Sequence, residues 1–337
     1  MTLVTTYPQR AIEILGRRYH GLRLIGEGRS GLIFTGHVGD ANGPMVAVKV
    51  AYPTDDHAHD STATARLHRE AEIGARLSHP HILRTSPSEV LDGIAFYEMD
   101  AAGPMRLDQL ITAVHPPGFA RVLVVLEQIA EAVDYAHAHG IVHGALRPSA
   151  VLLDPSGSVL VKGFSLYQDE KATQPALAPT AIGNAAYMAP EQWHDGRCNR
   201  LTDVYAVGVI AYELCTGHAR VGYDAAGVPE IRPIELAPNH ALRDDVPMHV
   251  NAAIRRATNK DPDVRFTSAG EFVRAMSHPD EATGHSLPTL APPLSKKAHA
   301  PWMLVALVLL VAISLFFGVP STPRDMLVSR IMAADSQ

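Results

Sequence analysis

Along the first hundred residues, apolar and polar positions alternate in short runs bounded by turn residues. Residues 21–28 (GLRLIGEG), 30–38 (SGLIFTGHV) and 45–52 (MVAVKVAY) are examples, and each predicts a strand. A helical segment follows at 64–78 (TARLHREAEIGARLS). Its apolar residues Ala65, Leu67, Ile73 and Leu77 are loosely spaced, and two glutamates with three arginines suit a solvated face. After Leu107 the periods become helical. Residues 121–140 (RVLVVLEQIAEAVDYAHAHG) predict an amphipathic helix stopped by Gly140. Residues 203–217 (DVYAVGVIAYELCTG) are apolar on nearly every side, which predicts a buried helix ending at Gly217. A small sheet-rich part followed by a larger helical part is an α+β plan, with a cleft between two lobes.

The pattern changes again near the C-terminus. Residues 302–319 (WMLVALVLLVAISLFFGV) contain no charge. As a helix this block reaches roughly 27 Å, close to the hydrocarbon thickness of a bilayer, so we expect one transmembrane helix. Trp302 stands where an interfacial anchor belongs. Lys296 and Lys297 precede the block, but Arg324 and Arg330 follow it, so charge bias alone orients it weakly. The first nineteen residues carry no apolar core of signal-peptide length. The expectation is therefore a single-pass inner-membrane protein with its large domain in the cytoplasm and residues 320–337 as a short tail outside. Residues 278–300, rich in Pro, Ser, Thr and Ala, read as a linker.

Composition narrows the partners. A net charge of -6 with no basic stripe argues against nucleic acid. Cys198 and Cys215 stand apart from any CxxC pair and are expected to be reduced thiols. The histidine-bearing run 55–60 (DDHAHD) is read as a solvated loop rather than a metal site, because no distant partner ligand is evident.

Three features carry candidate chemistry in the sheet-rich part. Gly26, Gly28 and Gly31 fit the spacing GxGxxG, with Ile33 in the apolar place two residues beyond. Glycines so placed let a strand-turn-strand backbone lie over phosphates without side-chain clash. Lys49, near the end of the third strand, is placed to reach those phosphates, and Glu70 in the following helix is placed to hold it.

With these motifs in order, the chain resembles the bacterial eukaryotic-type (Hanks-type) Ser/Thr protein kinases. The resemblance runs from about Tyr19 to Ser277 and is carried further by 79–82 (HPHI), 135–143 (YAHAHGIVH), 187–192 (YMAPEQ), 203–208 (DVYAVG) and 261–266 (DPDVRF). It implies a two-lobed protein-kinase-like fold, with the small β-rich lobe to about residue 100 and the helical lobe from about 103. Residues 1–18 are then an N-terminal extension and 19–277 the domain. The resemblance also implies that Ile33, Ala47 and Leu152 sandwich an adenine ring. Glu191 is implied to pair with Arg265, Asp203 to brace the catalytic-loop backbone, and His143 and Phe164 to pack in the column joining the lobes.

The departures decide the functional expectation. The family's catalytic loop reads HRDLKPxN; this chain reads HGALRPSA over 143–150. Ala145 takes the place of the aspartate that accepts the substrate proton, and Ala150 that of the metal-holding asparagine. The DFG triplet falls on Gly163, Phe164 and Ser165, so the second metal carboxylate is missing as well. Arg147 replaces the loop lysine, Gly144 the neighbouring arginine and Asn184 a threonine. Asp154, Asp169 and Glu170 are the carboxylates near enough in sequence to be weighed as replacements, and Asp154 reads as a turn residue. Thr173 and Thr180 fall in the activation segment as candidate phosphorylation positions. We therefore expect a degenerate member, a pseudokinase. It would bind ATP or ADP weakly without Mg²⁺ and dock a protein partner at the cytoplasmic membrane face. The alternative is an active Ser/Thr kinase with non-standard residues.

Overall fold

The computed structural model describes residues 3–278, except 29–30, 53–61, 102, 104, 112–116, 155, 165, 168–184, 195, 224–228 and 232–242. The run 55–60, the linker, the apolar block 302–319, Ser165, Asp169, Glu170, Thr173, Thr180 and Asn184 lie outside the described residues. Among the described residues no helix is long and apolar enough to cross a membrane.

Strands β1 (Tyr19–Gly28), β2 (Gly31–Val38), β3 (Met45–Ala51), β4 (Glu89–Leu91) and β5 (Ile94–Asp100) form one antiparallel sheet in the order β1-β2-β3-β5-β4. The predicted strand runs thus become neighbours. Their inward residues Tyr19, Phe34, Val48, Val50 and Phe96 are at most 1% exposed and form the core of the small lobe.

Helix α1 (Leu3–Leu15) lies in the segment expected as an extension, yet it closes this core. Ala11 and Leu15 are fully buried in it, and the Tyr7 hydroxyl donates to the Ala51 carbonyl at 2.6 Å. Helix α2 (Thr62–Ala75) begins and ends earlier than the apolar spacing predicts. Ala71, rather than the exposed Ala65, joins Leu67 and Ile73 on its buried face, and Leu77 is buried beyond the helix end.

The larger lobe is built on α4 (Phe119–Ala138), α6 (Arg200–Thr216), α7 (Met248–Ala257) and α8 (Ala269–Ser277). Short α3 (Leu107–Ile111) and α5 (Pro190–His194) also belong to it, and β6 (Met105–Arg106) leads into α3. Thirteen residues of α6 are buried, as its uniform hydrophobicity predicts. The helix starts at Asn199, whose side chain accepts from the backbone N–H of Leu201 and Thr202, and it ends at left-handed Gly217. Asp134 of α4 accepts from the backbone N–H groups of Ala269 and Gly270 at 3.0 and 2.8 Å, tying the start of α8 to the central helix.

Beneath the cleft, β7 (Ile141–Val142) pairs with β10 (Leu166–Tyr167), and β8 (Val151–Leu153) pairs with β9 (Val159–Val161). A further hairpin joins β11 (Val221–Tyr223) to β12 (Pro229–Ile231). Cys198 and Cys215 are free thiols, both pushed up to about 12 by burial.

Candidate functional site

The glycine hairpin closes with Gly28 opposite Gly31, and Gly26 opposite Ile33. Its glycines serve different ends. A side chain at Gly31 would put its first carbon 1.7 Å from the Val50 carbonyl oxygen, so sheet packing excludes one there. At Gly26 a first carbon would meet nothing within 4 Å, which leaves open space over the cleft.

Lys49 sits in β3 between Ile33 of β2 and Tyr97 of β5. Its ammonium group pairs with Glu70 of α2 at 2.5 Å, as the sequence order predicts. Tyr97 is a further member that sequence reasoning missed. Its hydroxyl donates to the other oxygen of Glu70 at 3.0 Å, and its ring lies 5.9 Å from the Lys49 ammonium. Burial, then the Glu70 charge, pushes Tyr97 well above the usual tyrosine range, so it stays a donor. Ile33 and Leu152 pack against a buried cluster that contains Ala47, Tyr97 and Met99, so all three residues assigned to the adenine sandwich meet at one apolar wall.

The loop from His143 to Ala150 is held as a scaffold demands. Asp203 accepts from the backbone N–H groups of His143 and Gly144, each at 2.8 Å, and its carboxylate lies 2.8 Å from His137 Nε2. Burial alone would raise this carboxyl, but the His137 hydrogen bond and its neighbours outweigh that and leave it below the usual range. His143 is itself buried and held neutral, chiefly by burial. Its Nε2 donates to the Lys162 carbonyl at 3.0 Å while Nδ1 accepts from Ala145 N–H, and its ring lies 4.8 Å from Phe164. Glu191 and Arg265 form a two-pronged pair at 2.6 and 2.8 Å.

Three positions within this frame carry no side-chain oxygen. Ala145 and the buried Ala150 present methyl groups. Gly163 is left-handed at φ 88°, and a first side-chain carbon there would meet nothing within 4 Å. Asp154 accepts from Ser156 Oγ at 2.6 Å and Ser158 N–H at 2.8 Å, a turn role that leaves it no part in the cleft. Among the described residues no group of three or more His, Cys, Asp or Glu is arranged to hold a metal ion. Mg²⁺ takes oxygen ligands, and Ala145, Ala150 and Gly163 supply none.

Lys162, just before Gly163, is the second member the sequence reading missed. Its backbone N–H donates to the Ala150 carbonyl at 2.9 Å. Burial lowers its ammonium first, and the charge of Lys49 across the cleft lowers it further; Glu70 acts the other way, and Arg147 and Arg106 again lower it. In the sequence it stands as a lone charged residue between the apolar strand β9 and Gly163.

Comparison with known proteins agrees with this geometry. The profile of the protein kinase domain matches residues 19–279. Over 277 residues the chain is 30% identical to the probable serine/threonine-protein kinase PknB of Lactococcus lactis, covering 82% of this chain and 43% of that protein. It is likewise 30% identical to serine/threonine-protein kinase PknH of Mycobacterium tuberculosis over 78% of the chain, and to PrkC of Bacillus subtilis over 76%. The chain spans less than half the length of these relatives. A cleft with the lysine–glutamate pair, a braced loop and this profile together make the chain a member of the protein kinase domain family.

Proposed function

We propose that this member has lost phosphotransfer and works as a membrane-tethered protein-binding module whose cleft takes ATP or ADP weakly, without Mg²⁺. One observation carries the reading: the scaffold around the loop is complete, while Ala145, Ala150 and Gly163 bring no oxygen to it. Kinase catalysis is positioning plus charge neutralisation by metal ions bridging the phosphates. Losing a general base costs roughly 10²–10⁴ in rate. Losing metal-borne stabilisation should cost at least the roughly 10³–10⁵ that an arginine finger supplies. From about 10 s⁻¹, the residual rate falls to about one turnover in hours to years.

The residues that would hold nucleotide are the open Gly26 turn, the apolar wall of Ile33, Ala47 and Leu152, and Lys49 oriented by Glu70. Kinase relatives support ATP as the ligand of such a cleft. The similarity to Ser/Thr protein kinases favours the alternative reading, an active Ser/Thr kinase using non-standard residues. Radiolabel from γ-labelled ATP with Mg²⁺ separates the two. The proposal expects no transfer to the chain or to a generic protein substrate above the Lys49→Ala background. Transfer abolished by Lys49→Ala would establish the alternative.

The membrane tether rests on the uncharged run 302–319 and its flanking Trp302. Expressed in cells, the full chain should sediment with membranes and resist carbonate extraction. A chain truncated after residue 300 should be released, and equal extraction of both forms would remove the anchor from the account.

A further inference from the structure

The glycine hairpin has a loosely held outer strand. Among the described residues β1 is paired on one side only, with β2, and stands at the sheet edge. That pairing slips twice, between His20 and Arg23 and between Leu24 and Gly26. An edge strand with two irregularities holds its last residues weakly by backbone pairing alone.

One side chain bridges this weakness. Tyr52 follows β3 directly, and its hydroxyl donates to Glu27 Oε1 at 2.6 Å. Glu27 stands between Gly26 and Gly28, so the bond passes over β2 and ties the end of the edge strand to the end of the third strand. Burial, then this hydrogen bond, pushes Tyr52 up to about 12, which keeps it a donor through the neutral range.

The register shows on which face this happens. Glu27 lies opposite Leu32, and Leu32 lies opposite Val50. Residues directly opposite in an antiparallel ladder share a face, and Leu32 and Val50 belong to the core that α1 closes. Tyr52 packs against that same core, as does Tyr7 of α1. The Tyr7 hydroxyl donates to the carbonyl of Ala51, the residue opposite Gly31, and so steadies the strand end from which Tyr52 reaches. Lys49 and Ile33 lie opposite each other on the reverse face, which carries the apolar wall.

We infer that the hydrogen bond between Tyr52 and Glu27 is a latch that positions the glycine hairpin for a nucleotide's phosphates from the opposite face of the sheet. This rests on the nucleotide reading given above and adds what sets the hairpin in place. Both side chains lie on the face away from the apolar wall, so they are positioning groups and act through the backbone. A hairpin already held loses less freedom when phosphate arrives, and affinity is gained by preorganisation. Adenosine has no phosphate for the hairpin to meet, so its binding is indifferent to the latch.

The test uses the full chain in detergent with two readouts. The first is hydrogen exchange of the amides of residues 22–28 and 31–36 without ligand. The second is binding of ADP and of adenosine, both in EDTA. Tyr52→Phe removes the hydroxyl alone. It should speed exchange in the hairpin about threefold or more, weaken ADP binding by about three- to tenfold, and leave adenosine binding and the melting temperature unchanged. Glu27→Ala should do the same, and the double variant should be no worse than either single one. Glu27→Gln keeps an acceptor and should behave as the wild type. Unchanged exchange in Tyr52→Phe, or additive losses in the double variant, would overturn the latch. Faster exchange with unchanged ADP affinity would overturn its positioning role. Joint loss of ADP and adenosine binding with a lowered melting temperature would assign Tyr52 to packing and overturn the inference as well. A wild-type chain that binds neither ligand would overturn the nucleotide reading, and the exchange result would then decide the latch by itself.

Discussion

Glu213 shows how a single buried side chain can tie loop chemistry to pH. It is fully buried in α6, accepts from the Tyr187 hydroxyl at 2.9 Å and from the Arg220 backbone N–H at 2.5 Å. Burial pushes it up to about 7 against these bonds. Its folded value thus lies above its unfolded one, so the folded state holds the extra proton between about 4.5 and 7. Stability should fall as pH rises through that window, by about 2–3 kcal/mol. Glu213→Gln keeps the acceptor and removes the titration. Urea midpoints from pH 5 to pH 8 should decline in the wild type and stay nearly level in the variant. Parallel declines would assign the effect to another group. At this scale the sequence was most informative where a motif states a residue by type. The pairing of Lys49 with Glu70, of Glu191 with Arg265, and the bracing role of Asp203 all follow from spacing within a resemblance, and the geometry agrees. Tyr97 and Lys162 escaped because neither belongs to a motif. Their importance lies in what stands across from them, and a linear pattern does not contain distances.

The elements were legible to different degrees for physical reasons. Strands β1 to β3 and helices α4 and α6 announce themselves through alternation, or through an apolar face with a terminal glycine, and both helices stop where the glycine predicts. Helix α2 was harder. One of its three buried apolar residues is Ala71, and small residues give a weak apolar signal. Its boundary therefore shifted from Ser78 to Ala75, and Ala71 replaced Ala65 on the inner side. Helix α1 shows a different limit. The sequence places residues 1–18 ahead of the recognisable domain, since the motifs begin near Tyr19. The fold nevertheless buries Ala11 and Leu15 completely beside Phe34 and Phe96. Burying a leucine side chain contributes about 1.5–3 kcal/mol, enough to make this helix a working part of the small lobe rather than a tail. A helix whose apolar face is satisfied only by a distant sheet cannot be assigned to that sheet from its own pattern.

At the scale of the whole molecule, the lobes keep the architecture of the family while Ala145, Ala150 and Gly163 bring no side-chain oxygen to the cleft between them. The frame that orients a catalytic loop is retained in full: Asp203 under the backbone, His143 against Phe164, and Arg265 clamped by Glu191. Such a frame needs packing and hydrogen bonds, which the substitutions at Ala145, Ala150 and Gly163 do not disturb. The sequence therefore told the fold and the loss of oxygen ligands equally well, because both are statements about residue types at fixed places. The central claim is that no divalent ion is held by this protein beside the nucleotide. Crystals of the chain soaked with ATP and Mn²⁺, examined for anomalous scattering, test it most directly. The account predicts phosphates contacted by Lys49 with no ion bound to a protein side chain; an ordered Mn²⁺ ligated by the protein next to the γ-phosphate would contradict it.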